Sequence, residues 1–336
     1  MTSRDLVKNT LEFNHKGRIP RHIWSLPWAE ETYPGSIEKI SKNYPDDITG
    51  APSFISGPVN GFGSGDPFKI GTYIDEWNCV WENKHSGIIG EVKEAIVSDW
   101  SDSSRVNIPL KALDINKGQI NDFCRSTEQF VLSGCCPRPF ERLQFIRGTE
   151  QLYMDLAFED QKMLGFLKEM HQFYIKEMTV WAETDVDALF MMDDWGAQRG
   201  LLINPEMWRK FFKPLYKDYV EIAHSHGKKI FMHSDGNILA IYPDLIELGI
   251  DGLNSQLSCM GIDNLAQFKG KITFWGEIDR QDLLVNGTEE EIRDAVINIK
   301  ETLYENGGII GQCEFGPGAN PQGVNTVFKT WNELSE

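Results

Sequence analysis

The chain has 336 residues, a formal net charge of −17, and 41% hydrophobic and 25% charged residues, an ordinary globular balance with length for one large domain or two smaller ones. The acidic surplus argues against a nucleic-acid partner, which needs clustered Lys and Arg to neutralise phosphates, and offers no attraction to an anionic membrane. The opening Met-Thr-Ser-Arg-Asp-Leu-Val-Lys lacks the apolar core of a signal peptide, no window approaches the roughly 18 apolar residues of a span, and six cysteines without framework spacing fit a reducing cytoplasm.

The first apolar run, 19–25, reads as a strand. The stretch Asn-Gly-Phe-Gly-Ser-Gly at 60–65 lacks the Lys-Ser/Thr of a phosphate loop and reads as a flexible loop or lid. Residues 72–81 with 91–99 read as an inserted hairpin, 130–133 as a further strand, and 139–158 and 160–183 as helices. From 187 onward the pattern is regular: strands over 187–194, 229–233, 250–256, 272–279 and 308–313 alternate with helices such as 205–226, 240–248 and 288–305. The last helix opens on Thr-Glu-Glu-Glu, favourable to the helix dipole, and stops at Asn-Gly-Gly, 306–308. Strand–helix alternation implies right-handed βαβ units and a parallel sheet. The fold expected is α/β: a (β/α)8 TIM barrel with an N-terminal extension and the inserted hairpin, forming a single domain over 1–336. A doubly wound sheet is the alternative.

In a barrel the active site is built at the carboxyl ends of the strands. Those ends carry Asp193 and Asp194, His233 and Asp235, Asn254 and Gln256, Glu277 and Asp279, and Cys313 and Glu314. A histidine, a carboxylate and a thiol converging there make a metal site from His233, Asp235 and Cys313. Each has a plainer reading. His233 can be a satisfied buried group, Cys313 a small hydrophobe, and one of Asp193 and Asp194 a helix cap. Asp279 suits a turn anchor. Trp195 is core or a pocket wall. Glu277, between Trp275-Gly and Ile278, is costly to bury without a partner. The adjacent Cys135 and Cys136, beside Pro-Arg-Pro in a loop over the barrel mouth, are left out of the site.

The pieces Met-Met-Asp-Asp-Trp-Gly (191–196), Ile-Phe-Met-His-Ser-Asp-Gly-Asn-Ile (230–238), Thr-Phe-Trp-Gly-Glu-Ile-Asp-Arg-Gln (273–281) and the Cys313 loop resemble the uroporphyrinogen decarboxylase superfamily, with weaker similarity at Gly-Arg-Ile-Pro, 17–20. The resemblance implies a TIM barrel. True uroporphyrinogen decarboxylases hold tetrapyrrole carboxylates with an arginine-rich segment after the first strand. Here that place reads Trp-Ser-Leu-Pro-Trp-Ala-Glu-Glu-Thr, without arginine, and Glu30 and Glu31 would repel such a substrate. The other branch contains corrinoid-dependent methyltransferases that bind zinc through His-x-Cys and a distant Cys. His233 and Cys313 match, whereas Asp235 replaces the middle Cys, giving a harder ligand set.

The resemblance therefore implies zinc held by His233, Asp235 and Cys313. Asp193, Asp194 and Glu277 would be catalytic, with Trp195, Asn254 and Gln256 binding a small-molecule substrate. Methyl transfer would run between a thiol or methoxy-type compound and a corrinoid on a separate carrier protein. Two alternatives stand beside it: a metal-independent decarboxylase of uroporphyrinogen type or of another small acid, and a non-catalytic binding protein. Oligomeric state, a homodimer included, is left open.

Overall fold

A computed structural model describes residues 1–14, 17–55 and 63–334. Residues 60–62 of the glycine-rich stretch lie outside the described residues. Eight parallel strands make one sheet: β1 (Arg21–Ser25), β2 (Ile48–Gly50), β3 (Phe130–Leu132), β4 (Ala188–Met192), β5 (Lys229–Ser234), β6 (Gly252–Ser255), β7 (Thr273–Gly276) and β8 (Ile309–Phe315). β1 pairs with β8, and the order then descends from β8 to β2. Helices surround this nearly closed barrel, the (β/α)8 architecture expected. β2, only three residues long, has no counterpart among the expected strands, because Ile-Thr-Gly presents no apolar run. Among the described residues no helix is long and apolar enough to cross a membrane.

Alternation along each strand sorts side chains between two cores. Phe130, Phe231, Trp275 and Ile310 meet inside the barrel, whose lower end is plugged by Val7 and Leu11 of the N-terminal helix Ser3–Leu11. Ile230, Met232, Ile309, Cys313 and Phe315 belong to the larger core between strands and helices. On β8 a Cβ added at Gly311 would lie 2.8 Å from the Trp331 ring of the last helix, Pro321–Glu333. Odd-numbered residues of β8 therefore face outward, and Gln312 and Glu314 face the interior.

The inserted element is a three-stranded antiparallel sheet, Gly71–Ile74, Val80–Asn83 and Glu91–Val92. The run 72–81, expected as one strand, is interrupted where Asp75 accepts the N–H groups of Trp77 (3.0 Å) and Cys79 (2.8 Å), with Asn78 at φ +72°. A buried polar hub makes this turn, which hydropathy alone does not reveal. The helical stretch 139–158 is likewise divided at Gly148, φ +79°, into Pro139–Arg147 and Thr149–Ala157.

No ladder joins β1 to β2 among the described residues. Side chains take its place. Asp46 Oδ1 accepts the Ile23 N–H at 2.8 Å, Asp47 Oδ2 accepts the Arg21 N–H at 2.9 Å, and the Asp47 N–H donates to the Arg21 carbonyl at 2.9 Å. Asp47 is fully buried and also receives Arg18 at 2.5–2.6 Å and Ser3 at 2.6 Å. Asp47→Ala, which takes a buried carboxylate away from its cation, the Arg21 N–H and the Ser3 hydroxyl, is expected to cost about 3 kcal/mol in urea unfolding.

Burial pushes Asp46 up to about 7, against the Ile23 hydrogen bond and with Asp47 adding repulsion. A carboxyl raised in the folded state stabilises fully below its unfolded pKa, and that contribution is lost as pH rises toward 7. Asp46→Asn keeps the acceptor and removes the charge. Measured at pH 4, 5.5 and 8, its stability relative to the parent should therefore improve steadily with pH.

Candidate functional site

β5 delivers His233 to the barrel interior because Phe231 below it already faces inward. Trp24 of β1 packs against the imidazole with ring centroids 5.2 Å apart, and Trp275 of β7 meets Trp24 edge-on at 5.2 Å. His22 stacks on Trp275 at 5.5 Å, and burial drives it down to about 4, so it stays neutral at the floor of the site. Asn254 of β6 donates its Nδ2 to the Trp275 carbonyl at 2.6 Å, which turns its Oδ1 toward His233 Nδ1 at 2.5 Å. The fixed amide makes Nδ1 the donor and aims Nε2 at the strand ends.

Two carboxylates wait there. Nε2 lies 3.5 Å from Asp194 Oδ1 and 3.6 Å from Asp235 Oδ1, and one ligand atom from each of the three residues falls within 4.8 Å of the others. Asp194 Oδ1 also accepts the Asp235 N–H at 2.9 Å, which locks the loops after β4 and β5 together. Gly236 sits so close to Gly196 that a Cβ on it would meet the Gly196 oxygen at 2.1 Å, so the two loops need glycine there.

Around this trio negative charge accumulates. Glu277 is buried, and both of its carboxylate oxygens lack a hydrogen-bond partner. Burial raises it to about 7, opposed by Arg280 and reinforced by Asp235. Arg280 pairs with Asp235 and Glu314 and places Nε 3.5 Å from Glu277. Glu141, raised to about 7 by burial and then by Asp194, faces the group from the start of the helix Pro139–Arg147. Burial lowers the basicity of His233, but Asp194, Asp235 and Glu277 outweigh it and hold the imidazole above its ordinary value. A cavity of about 130 Å³ bounded by Gln256, Glu277 and Arg280 opens the site on one side. Another of about 370 Å³, beside Trp24 and Glu314, opens it on the other.

The profile of the uroporphyrinogen decarboxylase (URO-D) family matches residues 86–334. The chain belongs to the uroporphyrinogen decarboxylase family. A methyltransferase from Methanosarcina mazei has a similar structure, with a TM-score of 0.66 and 11% identity over 100% of both chains, a likeness of fold. A B12-independent methionine synthase from a Shewanella species matches more loosely, at a TM-score of 0.47 and 13% identity over 95% of this chain and 93% of that one. No curated protein matches the chain in sequence.

Within this URO-D barrel, the residues expected at the site separate. His233, Asp235, Asp194, Glu277 and Asn254 come together. Gln256 accepts the Gly236 N–H at 3.0 Å and lines the smaller cavity. Asp193 does not join them: it is fully buried and accepts the N–H groups of Phe140 (2.9 Å) and Glu141 (2.8 Å) and the Tyr216 hydroxyl (2.7 Å). It thus caps the helix before it in sequence rather than the one after. Trp195 is fully buried, stacked on Phe140 at 4.1 Å and bonded to Tyr216 at 2.7 Å, so it walls no pocket. Cys313 points into the outer core, and burial pushes its thiol well up; β8 runs two residues past it, and the interior neighbour is Glu314. The thiol expected as a ligand is therefore not brought to His233. Asp279 anchors a turn by accepting from Gln281 and Asp282.

Arg280 and Glu141 escaped the sequence reading. The excess of acid at the strand ends was the available signal for a cation, and Arg280 stands three residues beyond the buried Glu277. Asn254→Ala should leave the imidazole less well held, so that any divalent metal titrated into the site binds about 10–100-fold more weakly than in the parent, measurable by calorimetric titration, with little change in the far-ultraviolet circular dichroism.

Proposed function

We propose that this protein is a metal-dependent methyltransferase that moves a methyl group between a corrinoid on a separate carrier protein and a thiol or methoxy-type small molecule, with zinc held by Asp194, His233 and Asp235. The observation that carries the reading is the spacing of the trio. Zinc bonds of about 2.0–2.2 Å in a tetrahedron separate ligand atoms by about 3.3–3.6 Å, and the imidazole lies 3.5 and 3.6 Å from its two carboxylates. Asp235 Oδ1 and both Glu277 oxygens are buried without hydrogen-bond partners, a costly state that a cation would relieve. The donor set fits zinc while being harder than a thiolate set.

When bound, zinc supplies the charge that holds a substrate thiol as thiolate or polarises a methoxy oxygen. The chain's own groups do the rest. Asn254 fixes the His233 tautomer. Glu277, poised near neutrality, holds or releases a proton at its carboxyl oxygens. Trp24 and Trp275 keep water from the floor, and Arg280 shares its single positive charge among Asp235, Glu277 and Glu314.

That same arginine favours a second reading, acid–base carboxy-lyase chemistry without metal, in which Arg280 receives a substrate carboxylate and Glu277 transfers the proton. Elemental analysis separates the two. About one equivalent of zinc should remain in the parent and in Cys313→Ser, and be lost in His233→Ala and Asp194→Asn while each stays folded. A parent that takes up no metal under any loading condition sinks the zinc reading. Because His233 must be neutral to bind, and its carboxylate neighbours hold its pKa up, zinc affinity should fall as pH is lowered through that raised value, as calorimetry across pH 5.5–8 would read.

A further inference from the structure

A third cavity, of about 400 Å³, lies under the inserted antiparallel sheet, a size in the range of small-molecule sites. Its walls are aromatic. Tyr73 and Trp81 descend from the inserted sheet, with Trp77 in the turn between them. Phe173, Tyr174 and Trp181 rise from the long helix Gln161–Ala182. Trp77 meets the Phe173 ring edge-on at 5.5 Å, and Gly134 at the base leaves room for Trp181, whose ring would lie 2.8 Å from an added Cβ.

Two arginines enter this cavity, and they differ. Arg142 is committed to Asp75 at 2.5 Å, with Glu76 at 3.4 Å. Arg138 has no carboxylate in ion-pair contact among the described residues; its one hydrogen bond is to the Cys136 sulfur at 3.5 Å. The facing Glu177 is raised to about 8 by burial, with Glu76 adding and the two arginines opposing, and Glu141, which acts on Arg138 through space, is raised to about 7, so near neutrality neither fully cancels the guanidinium. Arg138 begins the segment whose other end, Glu141, faces Asp194 and His233. The Met192 N–H to the Pro137 carbonyl, 3.1 Å, and the Asp193 cap tie that segment to the end of β4.

We infer that this cavity binds a small organic anion with a flat apolar body, an aryl carboxylate in chemical class, whose charged end is held by the Arg138 guanidinium and whose ring lies among Trp77, Trp81 and Trp181. Its identification as the substrate end of the methyl-transfer site rests on the function proposed above; the binding itself does not. A planar fork without a carboxylate partner suits the two oxygens of an incoming carboxylate, and aromatic walls suit a ring better than a chain.

The probes are 2-naphthoate and its neutral amide, titrated calorimetrically into the full chain, metal-loaded and metal-stripped. The acid should bind, and the amide should bind at least tenfold more weakly. Arg138→Met should lose at least tenfold for the acid and nothing for the amide, and Arg138→Lys should fall between. His233→Ala, without metal, should bind the acid as the parent does. Equal binding of acid and amide to the parent, or no binding of either, overturns the inference without any variant having to fold. Arg138-dependent binding to a protein that takes up no zinc would uphold the anion site and refute the metal centre.

Discussion

Burying like charges within a few ångströms of one another is the constraint around which the upper end of this barrel is organised. Asp194, Asp235, Glu277 and Glu314 converge there with one imidazole and one guanidinium for company. Like charges so placed repel one another. The protein answers by raising Glu277, by keeping His233 basic and by threading Arg280 among three acids. Each answer is chemically useful. A carboxyl near neutrality moves protons, a basic imidazole with a fixed tautomer ligates or donates, and a guanidinium among several acids can turn to an anion from outside. Arg280 already holds one oxygen of Asp235, so a cation taken up from outside would share that carboxylate with it.

The scaffold limits how far that competition disturbs the rest. Asp193 and Asp194 are adjacent in sequence but differ entirely in task. The first is withdrawn into the wall, where it ties β4 to the helix Pro139–Arg147 through two N–H groups and Tyr216. The second stays at the mouth beside His233. Alternation along the chain separates an acid of the wall from an acid of the mouth within a single peptide unit.

That principle also explains what was legible from sequence. Strands from 187 onward announce themselves by apolar runs and their ends by polar residues, so His233, Asp235, Asn254 and Glu277 could be placed together. Facing direction was not legible. Cys313 and Glu314 both stand at the end of an apolar run, and only the register of β8, fixed by the Gly311 approach to Trp331, decides that the carboxylate enters the barrel and the thiol leaves it. A one-residue difference in a period of two reverses the chemistry. β2 was invisible because three residues of mixed polarity carry no hydropathy signal. Trp195 reads equally as core or as pocket wall because nothing local discloses the Phe140 ring that covers it.

The join between β1 and β2 carries a different kind of consequence. Elsewhere around the barrel, neighbouring strands are bound by main-chain rungs that every residue type supplies alike, and no point mutation short of proline removes one. At this join a main-chain bond from the Asp47 N–H to the Arg21 carbonyl is supplemented by two side-chain acceptors, Asp46 and Asp47. Closure of the cylinder thus depends on residue identity as well as on backbone geometry, and drift in the coding sequence can weaken it one carboxylate at a time. It is the place where a closed barrel and an open, curled sheet are separated by the fewest genetic steps.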